Sequence, residues 1–173
     1  MRQEILDKFG LQALKAPCAS IIHVDGFEKE YQDVLKKISP IPNVMVEIGT
    51  CSGVSAAYFS RWANHVHTFD IVEVKLKYDI WKHFGMTNIT AYHASGSPEI
   101  AEIIKGLTFD FAFIDAAHEY KDAIQDIEMV KRCGRILFHD YYYKPVKKAI
   151  AELITDQGGK LTVESHNFAL WER

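Results

Sequence analysis

From Pro42 onward, short apolar runs alternate with amphipathic stretches of helical length, and this alternation limits the fold more than any other feature. Such a pattern is typical of a parallel β-sheet covered by helices. The predicted strands span residues 44–48, 66–70, 88–92, 109–114, 134–139, 160–164 and 167–171. The predicted helices between them span residues 53–63, 73–84, 97–105, 119–131 and 144–156.

Only Ser165 and His166 separate the last two predicted strands, so these strands must be antiparallel. The prediction is therefore an α/β fold: a Rossmann-like, seven-stranded, mostly parallel sheet with an antiparallel C-terminal hairpin and helices on both faces. Residues 1–41 contain two helical patterns, at about 2–14 and 27–38, and we expect them to form a short helical cap. Residues 42–173 form the predicted core, and residues 1–173 a single domain.

Composition excludes several classes of protein. The formal net charge of the 173 residues is -3, which provides no basic field for nucleic acid or an anionic membrane, so a small-molecule partner is expected. No stretch resembles a signal peptide or a membrane span. The three cysteines, Cys18, Cys51 and Cys133, are widely spaced, which favours a reducing, cytoplasmic location. Whether the chain forms a homo-oligomer stays open.

The ends of the first three strands carry small and acidic residues. In an open α/β sheet, ligands bind beyond the carboxyl ends of the strands. Gly49 and Gly53 permit a tight turn beside a ligand, but their spacing departs from the dinucleotide fingerprint G-x-G-x-x-G. Asp70 ends the second strand, where a carboxylate can accept both hydroxyls of a ribose. An ordinary turn and a solvated acid explain these residues too, so both interpretations stay open.

The fourth and fifth strands end in acids and imidazoles. Asp115 follows a buried run, His118 comes three residues later, and His139 and Asp140 end the fifth strand. If these strands are neighbours, their ends lie roughly 5 Å apart, close enough for Asp115 and Asp140 to share a cation or a proton. His139 and Asp140 reach one site only if the strand ends before them, because successive strand residues point to opposite faces. Loop capping is the alternative interpretation.

Two other groups receive structural interpretations. His65 and His67 share a face at the amino end of the second strand, away from the expected site. The run from Tyr141 to Tyr143 could line an acceptor pocket, but packing of the next helix explains it equally well.

Taken together, the motifs resemble class I S-adenosylmethionine-dependent methyltransferases, in particular small-molecule O-methyltransferases related to catechol O-methyltransferase and to the cephalosporin-hydroxylase-like group. The motifs are residues 46–55, Asp70, residues 113–120 and residues 137–140, and the likeness runs from about residue 44 to residue 173. The resemblance implies methyl transfer from S-adenosylmethionine (SAM) to an oxygen of a small molecule. A non-catalytic SAM-binding or assembly module and an NAD-dependent oxidoreductase are the alternatives.

The resemblance also implies roles for individual residues. The positions matching the cofactor site are Glu47, Gly49, Gly53 and Ser55 at the methionine end, Asp70 at the ribose, Ser95 at the adenine and Asp115 beside the sulfonium.

Asp115, His139 and Asp140 match the ligands of a divalent cation, and His118 matches the catalytic base, so Asp115 and His118 are the expected catalytic residues. Carboxylates alone favour Mg²⁺, whereas an imidazole ligand shifts the preference toward Mn²⁺, Fe²⁺ or Zn²⁺.

Overall fold

The computed structural model describes residues 1–15 and 27–173; Cys18 and the apolar run 21–24 of the predicted cap lie outside the described residues. The strands are β1 (Val44–Ile48), β2 (His65–Asp70), β3 (Ile89–His93), β4 (Phe111–Ile114), β5 (Arg135–Phe138), β6 (Lys160–Val163) and β7 (Ala169–Glu172). The helices are α1 (Arg2–Lys15), α2 (Phe27–Lys37), α3 (Val54–Phe59), α4 (Leu76–His83), α5 (Ser97–Lys105), α6 (Tyr120–Val130) and α7 (Lys144–Gln157).

The strands form one seven-stranded sheet in the order β3-β2-β1-β4-β5-β7-β6. All neighbouring pairs are parallel except those of β7, which runs antiparallel to both β5 and β6. The predicted mostly parallel sheet with a C-terminal hairpin is therefore confirmed. The strand order reverses between β1 and β4, which is where ligands bind in sheets of this kind.

Helices cover both faces of the sheet, as predicted. One apolar cluster joins the sheet to α5, α6 and α7, and the other joins it to α2, α3 and α4. The buried stripe of α2 consists of Tyr31, Val34 and Leu35, and Ile38, the residue after the helix, continues the i, i+3, i+4, i+7 spacing of an amphipathic helix. Burying each of these side chains contributes about 1.5–3 kcal/mol. Within the described residues, α2 is therefore part of the core helix layer.

A few boundaries differ from the predictions. The predicted strand 109–114 begins at Phe111, because the Asp110 carboxylate turns aside to accept the backbone N–H groups of Asn43 and Val44, at 3.0 Å and 2.9 Å. The predicted helix 53–63 ends at Phe59, and turns follow it. None of the described helices is long and apolar enough to cross a lipid bilayer.

Candidate active site

The carboxyl ends of β4 and β5 bring Asp115, His139 and Asp140 together. Ile114 and Phe138, the last residues of the two strands, are register partners, so the residues after them lie side by side. β5 ends at Phe138, before both His139 and Asp140, and Asp140 has a φ of 54°, which turns the chain. The condition for His139 and Asp140 to face one site is therefore met. One potential ligand atom from each of the three side chains lies within 4.8 Å of the others.

His139 lies between the two carboxylates. Its Nδ1 is 3.1 Å from Asp115 Oδ1 and 3.0 Å from Asp140 Oδ2. Burial lowers the pKa of His139, but the charges and hydrogen bonds of the two carboxylates outweigh it and raise this pKa to about 10. The two carboxylates therefore stabilise a positive charge at the position of this imidazole.

His118 stands at the solvent-exposed rim of the site. Its Nε2 makes a short hydrogen bond with Asp140 Oδ2, and this bond raises the pKa of His118 more than burial lowers it. The Asp140 carboxylate is in turn shared by two imidazoles, which hold its pKa well below the usual range despite burial. An exposed imidazole oriented by a carboxylate is an arrangement suited to accepting a proton.

Asp126, which the sequence analysis missed, supports the turn that carries His118. It lies on α6, is 5% exposed, and accepts a hydrogen bond from the backbone of Ala117. Burial raises its pKa to about 7, and within the described residues its Oδ2 has no hydrogen-bond partner. The signal in the sequence is an aspartate within the apolar stripe of a helix, next to Ile127.

Asp70 ties the glycine loop to the end of β2. Its Oδ2 accepts the backbone N–H of Cys51 at 2.6 Å, and its Oδ1 accepts that of Val72 at 2.8 Å. A carboxylate has about four acceptor positions, so both oxygens can still accept ligand hydroxyls. The exposed side chains of Ile71 and Val72, which the sequence analysis did not single out, continue this edge as an apolar ledge.

The chain's own packing requires both glycines of the loop. Gly49 has a φ of 105°, and a Cβ there would lie 2.1 Å from the carbonyl oxygen of Asp115. Gly53 has a φ of 74°, and a Cβ there would lie 2.6 Å from the Cβ of Lys77. The loop conformation therefore follows from the contacts of β1 with β4 and of α3 with α4, whether or not a ligand is bound.

Glu47 is fully buried at the end of β1. Burial raises its pKa to about 8, against the hydrogen bonds of Ser55 and Thr68, which lower it; the nearby charges of Asp115 and Asp70 raise it further. Because the charges of both aspartates act on Glu47, the acidic side chains at the carboxyl ends of β1, β2 and β4 lie in one region. The predicted cofactor residue Ser95 is exposed, and its N–H and hydroxyl donate to Glu99 Oε2, at 2.7 Å and 2.8 Å.

The chain is similar to known proteins in both sequence and fold. A methyltransferase-domain family model matches residues 46–141, more than half of the chain. The chain belongs to the class I SAM-dependent methyltransferases. The methyltransferase is also 39% identical over 85 residues to a protein-L-isoaspartate O-methyltransferase of Roseobacter denitrificans. That match covers 48% of this chain and only 38% of the relative, so the chain spans well under half the relative's length.

Solved structures share the fold of the methyltransferase. A Staphylococcus aureus protein proposed to be a caffeoyl-CoA O-methyltransferase has a TM-score of 0.72 at 18% identity, covering 98% of this chain and 91% of its own. A Bacillus cereus O-methyltransferase in complex with SAH (S-adenosylhomocysteine) has a TM-score of 0.69 at 16% identity, covering 99% and 96%. A precorrin-6y C5,15-methyltransferase of Geobacter metallireducens has 0.65 at 20% identity, covering 86% and 87%.

The negative charge of the candidate site fits the positively charged cofactor of this family. The carboxylates of Asp70, Asp115 and Asp140 lie at one edge of the sheet, with the buried Glu47 beside them, and a cationic sulfonium is attracted to such an edge. The Asp70 oxygens and the ledge of Ile71 suit a ribose and a flat ring beside it.

Proposed function

We propose that the methyltransferase methylates an oxygen of a small molecule and that His118 removes the proton of the acceptor hydroxyl. The observation that carries this proposal is the exposed His118 imidazole with the Asp140 carboxylate behind it, beside the acidic edge. Histidine suits this task because its pKa lies near neutral pH. The names of two structural neighbours and of the Roseobacter relative, all O-methyltransferases, support oxygen as the acceptor atom.

SAM supplies an activated methyl group on a positively charged sulfur. In the proposed site, Asp70 binds the ribose hydroxyls and Ser95 lies at the adenine. Glu47, Ser55 and the Gly49–Gly53 loop surround the methionine end, and Asp115 lies beside the sulfonium. Because the loop is held by the chain's own contacts, little reorganisation is needed on binding, and positioning supplies much of the rate.

Asp115, His139 and Asp140 are the residues we propose for a divalent cation. Two carboxylate oxygens around an imidazole nitrogen, at 3.1 Å and 3.0 Å from it, form a donor set that suits such an ion. The imidazole favours Mn²⁺ over Mg²⁺. An ion held there would lower the pKa of an acceptor hydroxyl.

The first experiment tests the transfer itself. Purified protein is titrated with SAH and with NADH, and methyl transfer from radiolabelled SAM is measured over a panel of hydroxylated small molecules. SAH binding with methylation of one class of acceptor supports the proposal. SAH binding without any transfer would indicate a binding module, and NADH binding in place of SAH an oxidoreductase.

A second experiment separates the base from the metal. We expect His118→Ala to lower kcat about 100-fold or more and EDTA to remove activity that Mn²⁺ or Mg²⁺ restores. His83→Ala is the matched control, because His83 also pairs with a carboxylate, Glu4 Oε1 at 2.9 Å. Activity that persists in EDTA would refute the metal, and a fully active His118→Ala variant would refute the base.

A further inference from the structure

Tyr31 reaches the candidate site from α2, a helix that the sequence analysis assigned only to a cap. Its side chain is buried, with 1% exposure. The ring packs edge-to-face on Phe168, with centroids 4.8 Å apart, and stacks with His139 at 6.0 Å and an interplanar angle of 29°. Its hydroxyl donates to Asp115 Oδ2 at 3.4 Å.

The Asp115 carboxylate is consequently held on both sides. Oδ1 lies 3.1 Å from His139 Nδ1, and Oδ2 accepts the Tyr31 hydroxyl. The two contacts come from different parts of the fold, one from the end of β5 and one from α2. A carboxylate contacted at both oxygens loses one of these contacts when it rotates, so the two contacts together favour one orientation.

The Tyr31 hydroxyl stays a hydrogen-bond donor in this environment. A tyrosine hydroxyl carries its proton at neutral pH, and the Asp115 carboxylate oxygen 3.4 Å away can accept it in a hydrogen bond. The hydrogen bond to Asp115 and the stacking with His139 place the Tyr31 side chain at the carboxyl ends of β4 and β5. Its α2 neighbours Val34 and Leu35 have no polar side-chain atom, so this hydroxyl is the distinct feature of the stripe.

We propose that Tyr31 is a positioning residue of the methyl-transfer site, whose hydroxyl fixes the Asp115 carboxylate toward the reaction centre while its ring excludes water from that side. The inference rests on the proposed function, because it takes the sulfonium to lie beside Asp115. A hydrogen bond to a charged group typically changes an equilibrium by about tenfold or more. The ring itself belongs to the core and should tolerate loss of the hydroxyl.

The test compares Tyr31→Phe with Tyr58→Phe. Tyr58 is a matched control because it is buried in the same aromatic cluster, with its ring centroid 6.2 Å from that of Tyr31. Its hydroxyl lies beside Glu28 and not beside the acids of the candidate site. We expect Tyr31→Phe to lower kcat about tenfold, with a smaller change in the acceptor KM. Its affinity for SAM should fall more than its affinity for SAH, since only SAM carries the positive sulfur. Tyr58→Phe should match the wild type in all of these.

A double-mutant cycle identifies the partner through which Tyr31 acts. In an Asp115→Asn background, Tyr31→Phe should no longer change the ratio of the SAM and SAH dissociation constants, because the carboxylate it orients is gone. Wild-type kcat and an unchanged ratio in Tyr31→Phe would overturn the inference, as would losses that only parallel a lower melting temperature. Failure of the wild type to bind either ligand would instead overturn the proposed function.

Discussion

Histidines cluster at two places in this sheet, and their partners differ. At the start of β2, the rings of His65 and His67 lie 4.6 Å apart, and their hydrogen-bond partners are the neutral hydroxyls of Thr90 and Tyr92, at 3.0 Å and 3.2 Å. At the carboxyl ends of β4 and β5, histidines meet carboxylates in what we call the Asp–His cluster: Asp115, His118, His139 and Asp140.

The difference shows that the partner, more than the histidine, gives a site its chemistry. Burial, together with the neighbouring His65, lowers the pKa of His67. The Asp140 hydrogen bond raises the pKa of His118. At a strand end the backbone is free to turn, as Asp140 does, so side chains from two strands converge. Within β2 the pleat holds His65 and His67 beside the hydroxyls of Thr90 and Tyr92 on the neighbouring strand.

The largest expected difference between the two groups is in catalysis. Asp140→Ala removes the partner of both imidazoles in the Asp–His cluster, and we expect it to lower kcat by about 100-fold or more. His67→Ala should leave kcat within about twofold of the wild type, because the described hydrogen-bond partner of its ring is the neutral hydroxyl of Tyr92. Methyl-transfer rates at saturating SAM measure both. Equal losses in the two variants would mean that the contrast does not reflect function.

A pair of aspartates repeats the contrast for cofactor binding. Asp70 and Asp110 each accept two backbone N–H groups, but they lie at opposite ends of their strands. We expect Asp70→Asn to weaken SAH binding about tenfold, since charge-assisted hydrogen bonds to the ribose are lost. Asp110→Asn should lower the free energy of unfolding by about 1 kcal/mol and leave SAH affinity unchanged. Calorimetric titration with SAH decides, and weaker binding in both variants would point to an indirect effect of folding.

The smallest effect is in the titration of single imidazoles. In protein freed of metal with EDTA, NMR should show His118 titrating above pH 6.5 and His67 below it. The raised pKa of His118 stabilises the fold at acidic pH, and this contribution is lost as pH rises through the folded-state pKa. The lowered pKa of His67 gives the opposite sign, with its contribution complete above pH 6.5 and lost as pH falls. Reversal of the two titrations would contradict the described partners.

Much of the fold could be predicted because its signals are local. The apolar runs located all seven strands, and the short turn at Ser165 and His166 required an antiparallel hairpin. The apolar run beginning at Phe109 also absorbed Asp110, whose carboxylate instead caps the start of β1. That contact joins segments that are far apart in the sequence, so the residues around Asp110 give no sign of it.

Part of the candidate site could be predicted for the same reason. Asp115 and Asp140 follow strands, and parallel strands end at the same edge of a sheet. Tyr31 could not be found in this way, because it occupies an ordinary position in the apolar stripe of α2. Its partner lies 84 residues further along the chain.

By itself, the sequence determined the strands, the helices and the polar residues that end each strand, because side-chain periodicity and turn chemistry act over a few residues. Only the tertiary structure decided that β7 lies between β5 and β6, and that α2 brings Tyr31 to Asp115. The physical reason is that strand order and helix placement depend on the free energy of packing many distant side chains at once.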